Sequence, residues 1–250
     1  MNELLDALSR MHVGCHIDDV CLNNISYADD MVLLSASVGG IRRLLEVCET
    51  YAETHGLKYN VCKSKYMVFE VGRSKTSEVT PIKLNGEVLE RVDVFKYLGH
   101  IVTADLKDDK DIERERRALS VRANMIARKF ARCTREVKVT LFRAYCTSLY
   151  SCNMWLSYTK RAYEALRVQY NNAFRVMMGL PRFCSASGMF AEARVDCFYA
   201  TIRKRAASLV RRVRASPNIV MKMIGDRLDS PFLLRCSRLH VPYSEKRKCT

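Results

Sequence analysis

Asp29 and Asp30 stand side by side in the stretch NISYADDMVLL, residues 24–34. Apolar residues flank them, with Ile25 and Tyr27 before and Met31 to Leu34 after. Aspartate favours tight turns, so the pair can be the charged tip of a hairpin. Hard divalent cations such as Mg²⁺ take carboxylate oxygens, so the pair can also be a metal site held rigid by strands. Two further Asp pairs, Asp18-Asp19 and Asp108-Asp109, occur in the chain, so the dipeptide alone does not choose. Cys236, His240 and Cys249 could also ligate a metal. Their irregular spacing differs from the paired cysteines of zinc sites, and a non-metal role is favoured.

Hydrophobic periodicity indicates which elements would position these residues. Leu4, Leu5 and Leu8 share one side of a helix ending near Arg10. Short hairpins are predicted around Asp18-Asp19, in NISYADDMVLLS and around Asn85-Gly86. A helix is expected from about Val38 to His55, stopped by Gly56. A strand from about Tyr66 to Val71 and a strand or tight hairpin in VFKYLGHIVT follow. Beyond Leu106 strand signals thin out, and helices are predicted at about 108–133, 136–151, 160–178, 188–214 and 217–227. The fold class is therefore α+β, with hairpins and a packed helix first and an all-α region after.

The chain has 250 residues, 48% of them hydrophobic, enough to bury a core. It carries no apolar run long enough to span a membrane and no signal-peptide pattern at its start. The eleven cysteines form no CxxC pair, which favours reduced thiols in an intracellular setting. Net charge is +15 and unevenly placed. Residues 1–112 hold 13 basic and 18 acidic side chains, whereas residues 113–250 hold 29 basic and 9 acidic. Such a basic half repels itself unless a polyanion neutralises it, and RNA or DNA is the expected partner, with the nucleus among the compartments that supply it.

The order of motifs resembles the C-terminal part of reverse transcriptases of non-LTR, LINE-type retrotransposons. YADD (Tyr27 to Asp30) resembles the metal-binding palm hairpin of that family, and GLKYNVCKSK resembles the next palm motif, with Asn60, Lys63, Ser64 and Lys65 at matching positions. FKYLG (Phe95 to Gly99) resembles the primer grip, and LFRAYCTSLYSCNMW and QYNNAFRVMMGLPR resemble the thumb and the helices after it. The resemblance implies a partial palm at 1–105, a helical thumb at 106–180 and a basic helical region at 181–250. It implies Asp29 and Asp30 as Mg²⁺ ligands and Lys65 as a catalytic cation beside the leaving pyrophosphate. It implies primer and template contacts at Tyr27, Lys63, Phe95, Tyr97 and Gly99. Arg114, Arg116 and Arg117, on the polar side of the helix predicted from 108, join them as candidate phosphate contacts.

The family places a further catalytic Asp on a strand well before YADD, and only 28 residues precede Asp29 here. The expectation is an RNA-directed DNA polymerase fragment that is inactive alone and holds Mg²⁺ weakly or not at all. The alternative is a basic nucleic-acid-binding or interaction module without catalysis. The sequence leaves the oligomeric state open.

Overall fold

The computed structural model describes residues 2–70, 79–227 and 229–240. They form a mixed α+β chain that divides after Asp93 into two compact units.

In the first unit, helix α1 (Asn2–Arg10) is followed by hairpin β1 (Cys15–Ile17) and β2 (Val20–Leu22), then hairpin β3 (Asn24–Tyr27) and β4 (Asp30–Leu33). Helix α2 (Val38–Thr54) begins where Ser37 Oγ accepts the Gly40 N–H at 3.1 Å, as an N-cap should. Strand β5 (Lys65–Tyr66), hairpin β6 (Lys83–Leu84) and β7 (Glu87–Val88), and strand β8 (Glu90–Arg91) complete the unit. The ladders among the described residues are all two-stranded, and β5 pairs with β8 in parallel.

Helix α2 presents two apolar sides because its buried residues spread over adjacent turns. Leu44 and Cys48 pack with Leu4 and Leu8 of α1, against Met31 and Leu33 of β4. Leu45 packs with Ile82, Leu84 and Leu89, the residues around the Asn85-Gly86 turn. Burial of one such leucine stabilises by about 1.5–3 kcal/mol, so these two small clusters give the unit its core.

The second unit opens with hairpin β9 (Val94–Tyr97) and β10 (His100–Thr103). Helices α3 (Asp109–Lys129), α4 (Arg135–Tyr145), α5 (Lys160–Met178), α6 (Ala186–Glu192), α7 (Phe198–Arg214), α8 (Ile219–Asp226) and α9 (Pro231–His240) follow. One core runs through α3 to α7 around Phe142, Trp155, Tyr170, Phe174, Phe190 and Phe198. Phe142 meets Phe174 edge-on at 4.9 Å and Tyr170 at 5.3 Å, the arrangement that opposed ring quadrupoles favour.

Several elements differ from their sequence-based expectation. The strand expected from Tyr66 pairs only at Lys65 and Tyr66, and Val71 lies outside the described residues. The helix expected over 136–151 stops at Tyr145, and Leu149 and Ser151 take left-handed backbone angles that turn the chain. The helix expected over 188–214 is two helices, parted where Arg194 is left-handed and Val195 drops into the core. Helix α9 was not expected. Cys236 on it is buried, and Cys249 lies outside the described residues.

Candidate functional site

The acidic hairpin is built by two neighbouring constraints. Asn23 is buried, and its side-chain amide donates to Leu8 O at 2.6 Å and Met11 O at 3.4 Å. It therefore adds a second donor to carbonyls at and just past the end of α1, and it ties the start of β3 to that helix. At the other end Tyr27 lies opposite Asp30, so Ala28 and Asp29 form a two-residue turn. Ala28 has φ +54, a left-handed angle that a Cβ makes costly and glycine would take freely. Strain of this kind persists only where the surroundings hold it.

The alternation along β3 is inverted relative to an ordinary amphipathic strand. Ile25 and Tyr27 are exposed, Tyr27 at 66%, whereas Asn24 and Ser26 turn inward. Asp29 and Asp30 are both exposed, and their side chains make no hydrogen bond or ion pair among the described residues. An aromatic ring and two carboxylates are thus displayed together at one tip.

This donor set suits a cation in part. Mg²⁺ is commonly held by one or two carboxylates and completes its shell with water and substrate phosphates. Asp29 and Asp30 can supply that much for one ion. No cluster of three or more metal-ligating side chains occurs among the described residues, so a two-ion site would need a further carboxylate.

The lysine motif is shaped by Asn60. Its Oδ1 accepts the Lys63 N–H at 3.0 Å, and its carbonyl accepts both the amide and the hydroxyl of Ser64 at 3.0 and 2.9 Å. Lys63 is left exposed on the resulting turn. Lys65 lies on β5 with its Nζ 2.6 Å from Glu90 Oε2 on β8. Its ammonium is therefore engaged by a carboxylate rather than by Asp29 or Asp30.

In the second unit the FKYLG residues form the β9–β10 hairpin. Leu98 and Gly99 make its turn at φ +45 and +83, both left-handed, the pattern of a type I′ tip. A Cβ on Gly99 would sit 3.1 Å from the Tyr150 ring, and the Tyr150 hydroxyl donates to Leu98 O at 2.7 Å. Phe95 is exposed and Tyr97 half-buried.

What clamps this hairpin to the helices is a buried carboxylate that the sequence reading missed. Asp111, fully buried on α3, accepts the Ile101 N–H of β10 at 3.0 Å. It also accepts Arg114 Nε at 2.7 Å, Ser151 Oγ at 2.6 Å and Trp155 Nε1 at 2.7 Å, and His100 Nδ1 lies 3.0 Å away. Burial alone would push its pKa up. The His100 ring beside it and the hydrogen bonds from Arg114, Ser151 and Trp155 overcome that and hold it well below the usual carboxylate range. Asp108 accepts the Leu156 and Ser157 amides at 2.7 and 2.9 Å, so the same helix start anchors the segment that carries Trp155.

The three candidate arginines of α3 differ in availability. Arg114 is bound internally by Asp111 and Glu115, its guanidinium also reaching Ser151 Oγ at 3.2 Å. Arg116 and Arg117 share Glu113 at 2.6 and 2.7 Å, and the Arg117 side chain is the most exposed of the three. The hydrogen bond from Arg116, against an opposing burial effect and with help from Arg117, draws Glu113 down to about 2. Two acids four residues apart on the apolar stripe of Ile112 and Leu119, with a lone tryptophan needing an acceptor, were the available signal for this clamp.

Among the described residues no helix is long and apolar enough to cross a membrane. Compared with known proteins, the chain matches no protein-family model and no curated protein.

Proposed function

We propose that this chain carries the metal-binding and primer-holding hairpins of an RNA-directed DNA polymerase of the non-LTR retrotransposon type, followed by a nucleic-acid-binding helical unit. The observation that carries the reading is the exposed Asp29-Asp30 tip on a hairpin whose strand β3 turns Asn24 and Ser26 inward and Tyr27 out. In this reading 1–105 is the partial palm, whose last part, the FKYLG hairpin, folds with the helical unit, and RNA and DNA are the partners.

Asp29, with Asp30 assisting, would hold Mg²⁺, and such an ion supplies Lewis-acid polarisation of a phosphoryl oxygen when bound. Tyr27 offers a flat apolar face beside a primer terminus. The β9–β10 hairpin offers Phe95, held in place by Tyr150 at its tip and by Asp111 along β10. Lys65 can serve the leaving pyrophosphate only by exchanging its bond to Glu90, which makes it a charge-neutralising group before a proton donor. The reading assigns the further carboxylate of a two-ion site to a segment outside this chain.

The test is primer extension on an RNA template with Mg²⁺ or Mn²⁺. The chain alone is expected to give none. Joined to a fingers and first-palm segment of a reverse transcriptase of this type, it is expected to extend, and Asp29→Ala is expected to abolish that extension. Extension by the chain alone, lost on Asp29→Ala, would show that its own residues complete the site. Extension by the joined protein that survives Asp29→Ala would remove the metal-hairpin assignment.

A further inference from the structure

A polar cleft of about 470 Å³ lies in the second unit, walled by α4, the α6–α7 connection and α7. Its charged lining is Arg143, Arg194, Lys204, Arg205 and Arg212, with Asp196 as the one acid. Asp196 is already engaged, its two oxygens 2.7 and 2.6 Å from Lys204 Nζ. Among the described residues no carboxylate lies within 4 Å of the four arginines. Five cations and one anion in one cleft repel each other, and an anionic ligand would relieve that.

Two of the arginines are held by neutral groups. Arg143 donates to Arg194 O at 2.7 Å, a carbonyl that the left-handed turn at Arg194 (φ +52) presents. Arg205 Nε donates to Thr147 O at 3.1 Å. A carbonyl fixes a guanidinium without cancelling its charge, so these forks are ordered in advance and keep donors for phosphate oxygens. The cleft has no aromatic lining, and Val195 is its one apolar side chain. A base entering it would find no aromatic ring to stack on, whereas a phosphate would find several charged donors.

We infer that this cleft grips the sugar–phosphate backbone of a nucleic acid strand, independently of base sequence. The inference rests on the nucleic-acid partner of the reading above and uses none of its hairpin residues.

The experiment measures binding of a labelled, mixed-sequence single-stranded DNA oligonucleotide by the full chain as salt is raised. Two charge-matched double variants are compared. R194Q/R212Q removes charge from the cleft, and R203Q/R211Q removes the same charge from α7 outside it. The cleft pair is expected to weaken binding about tenfold and to lower the log–log salt slope by about 1.4, for two lost phosphate contacts on a single strand. The outside pair is expected to change affinity less than about threefold. Ser208→Glu, which puts a carboxylate on the cleft wall, repeats the test should the cleft pair fold poorly. Equal losses from the two pairs would overturn the cleft as a site. Displacement of the oligonucleotide by inorganic phosphate far beyond chloride of equal ionic strength would make it a free-phosphate site instead. No binding by the unaltered chain at low salt would overturn the nucleic-acid reading itself, a result distinct from the other two.

Discussion

In α3, Arg114, Arg116, Arg117 and Arg122 each lie within 3.2 Å of a carboxylate supplied by Asp111, Glu113 or Glu115. In α7, Arg203, Lys204, Arg205, Arg211, Arg212 and Arg214 share a helix with no acid at all, and among the described residues Lys204 is the cation with a carboxylate in reach. Both helices read as basic. The first ties Arg114 and Arg122 into a buried network and pairs Arg116 and Arg117 at the surface, and the second leaves most of its cations without a carboxylate among the described residues. Net charge therefore does not say which cations are available to a polyanion; the carboxylates within reach of each one do.

The largest expected effect breaks the α3 network at its centre. Asp111→Ala leaves Arg114, Trp155 Nε1 and the Ile101 amide facing an empty site, and loss of one partner of a buried ion pair costs about 3–5 kcal/mol. Urea unfolding of the second unit should show that loss. A change below about 1 kcal/mol would mean that the α3 arginines are no more structural than those of α7.

Acid should act on the two helices unequally. Asp111 and Glu113 both have depressed pKa values in the folded chain. Their stabilisation is present above the unfolded carboxylate range near 4 and is lost as pH falls through the folded values. Glu113 is partly exposed, so solvent screening discounts its share and Asp111 dominates. The unfolding midpoint of the second unit should fall between about pH 4 and pH 2, and Asp111→Asn should flatten that dependence. A wild-type midpoint that stays level over the range would contradict the charge state assigned to Asp111.

Smaller still is the effect of Arg117→Gln. It removes an exposed helix pair with Glu113 and should cost about 0.3–0.5 kcal/mol of stability. Oligonucleotide affinity should fall less than with Arg212→Gln, because Arg117 is already neutralised. A greater loss at Arg117 would reverse the comparison. Asp29→Ala should be the least visible of all, within about 0.5 kcal/mol, since its side chain is exposed and unbonded. A larger shift in the thermal midpoint would reveal a structural role for that carboxylate.

Much of the local architecture was legible. The hairpin turns at Asp18, Ala28, Asn85 and Leu98 each put a residue in the left-handed region, and all four use or adjoin Asn, Asp or Gly. Helix α2 and helix α5 follow from apolar spacing, and Gly179 at φ +67 ends the latter, as a glycine C-cap does. The break between α6 and α7 was not legible, because neither Gly nor Pro marks it. It is imposed by packing, with Val195 buried and Asp196 O accepting the Tyr170 hydroxyl at 3.0 Å. The acidic tip was visible as a dipeptide with a turn signal. The clamp on the second hairpin was not, because Asp111, Ser151 and Trp155 come together only through packing across some forty residues of chain.

The inverted alternation of β3 has a consequence for fidelity of assembly. Hydrophobicity would favour sliding β3 by one residue, which would bury Ile25 and Tyr27 and turn Asn24 and Ser26 outward. Such a slip would also swing the aromatic ring away from the carboxylates it accompanies at the tip. The strand's phase is thus set against its own apolar preference, by the amide of Asn23 locked onto the end of α1 and by the two-residue turn at Ala28 and Asp29. The geometry of the acidic tip is governed in part by a residue that never approaches it.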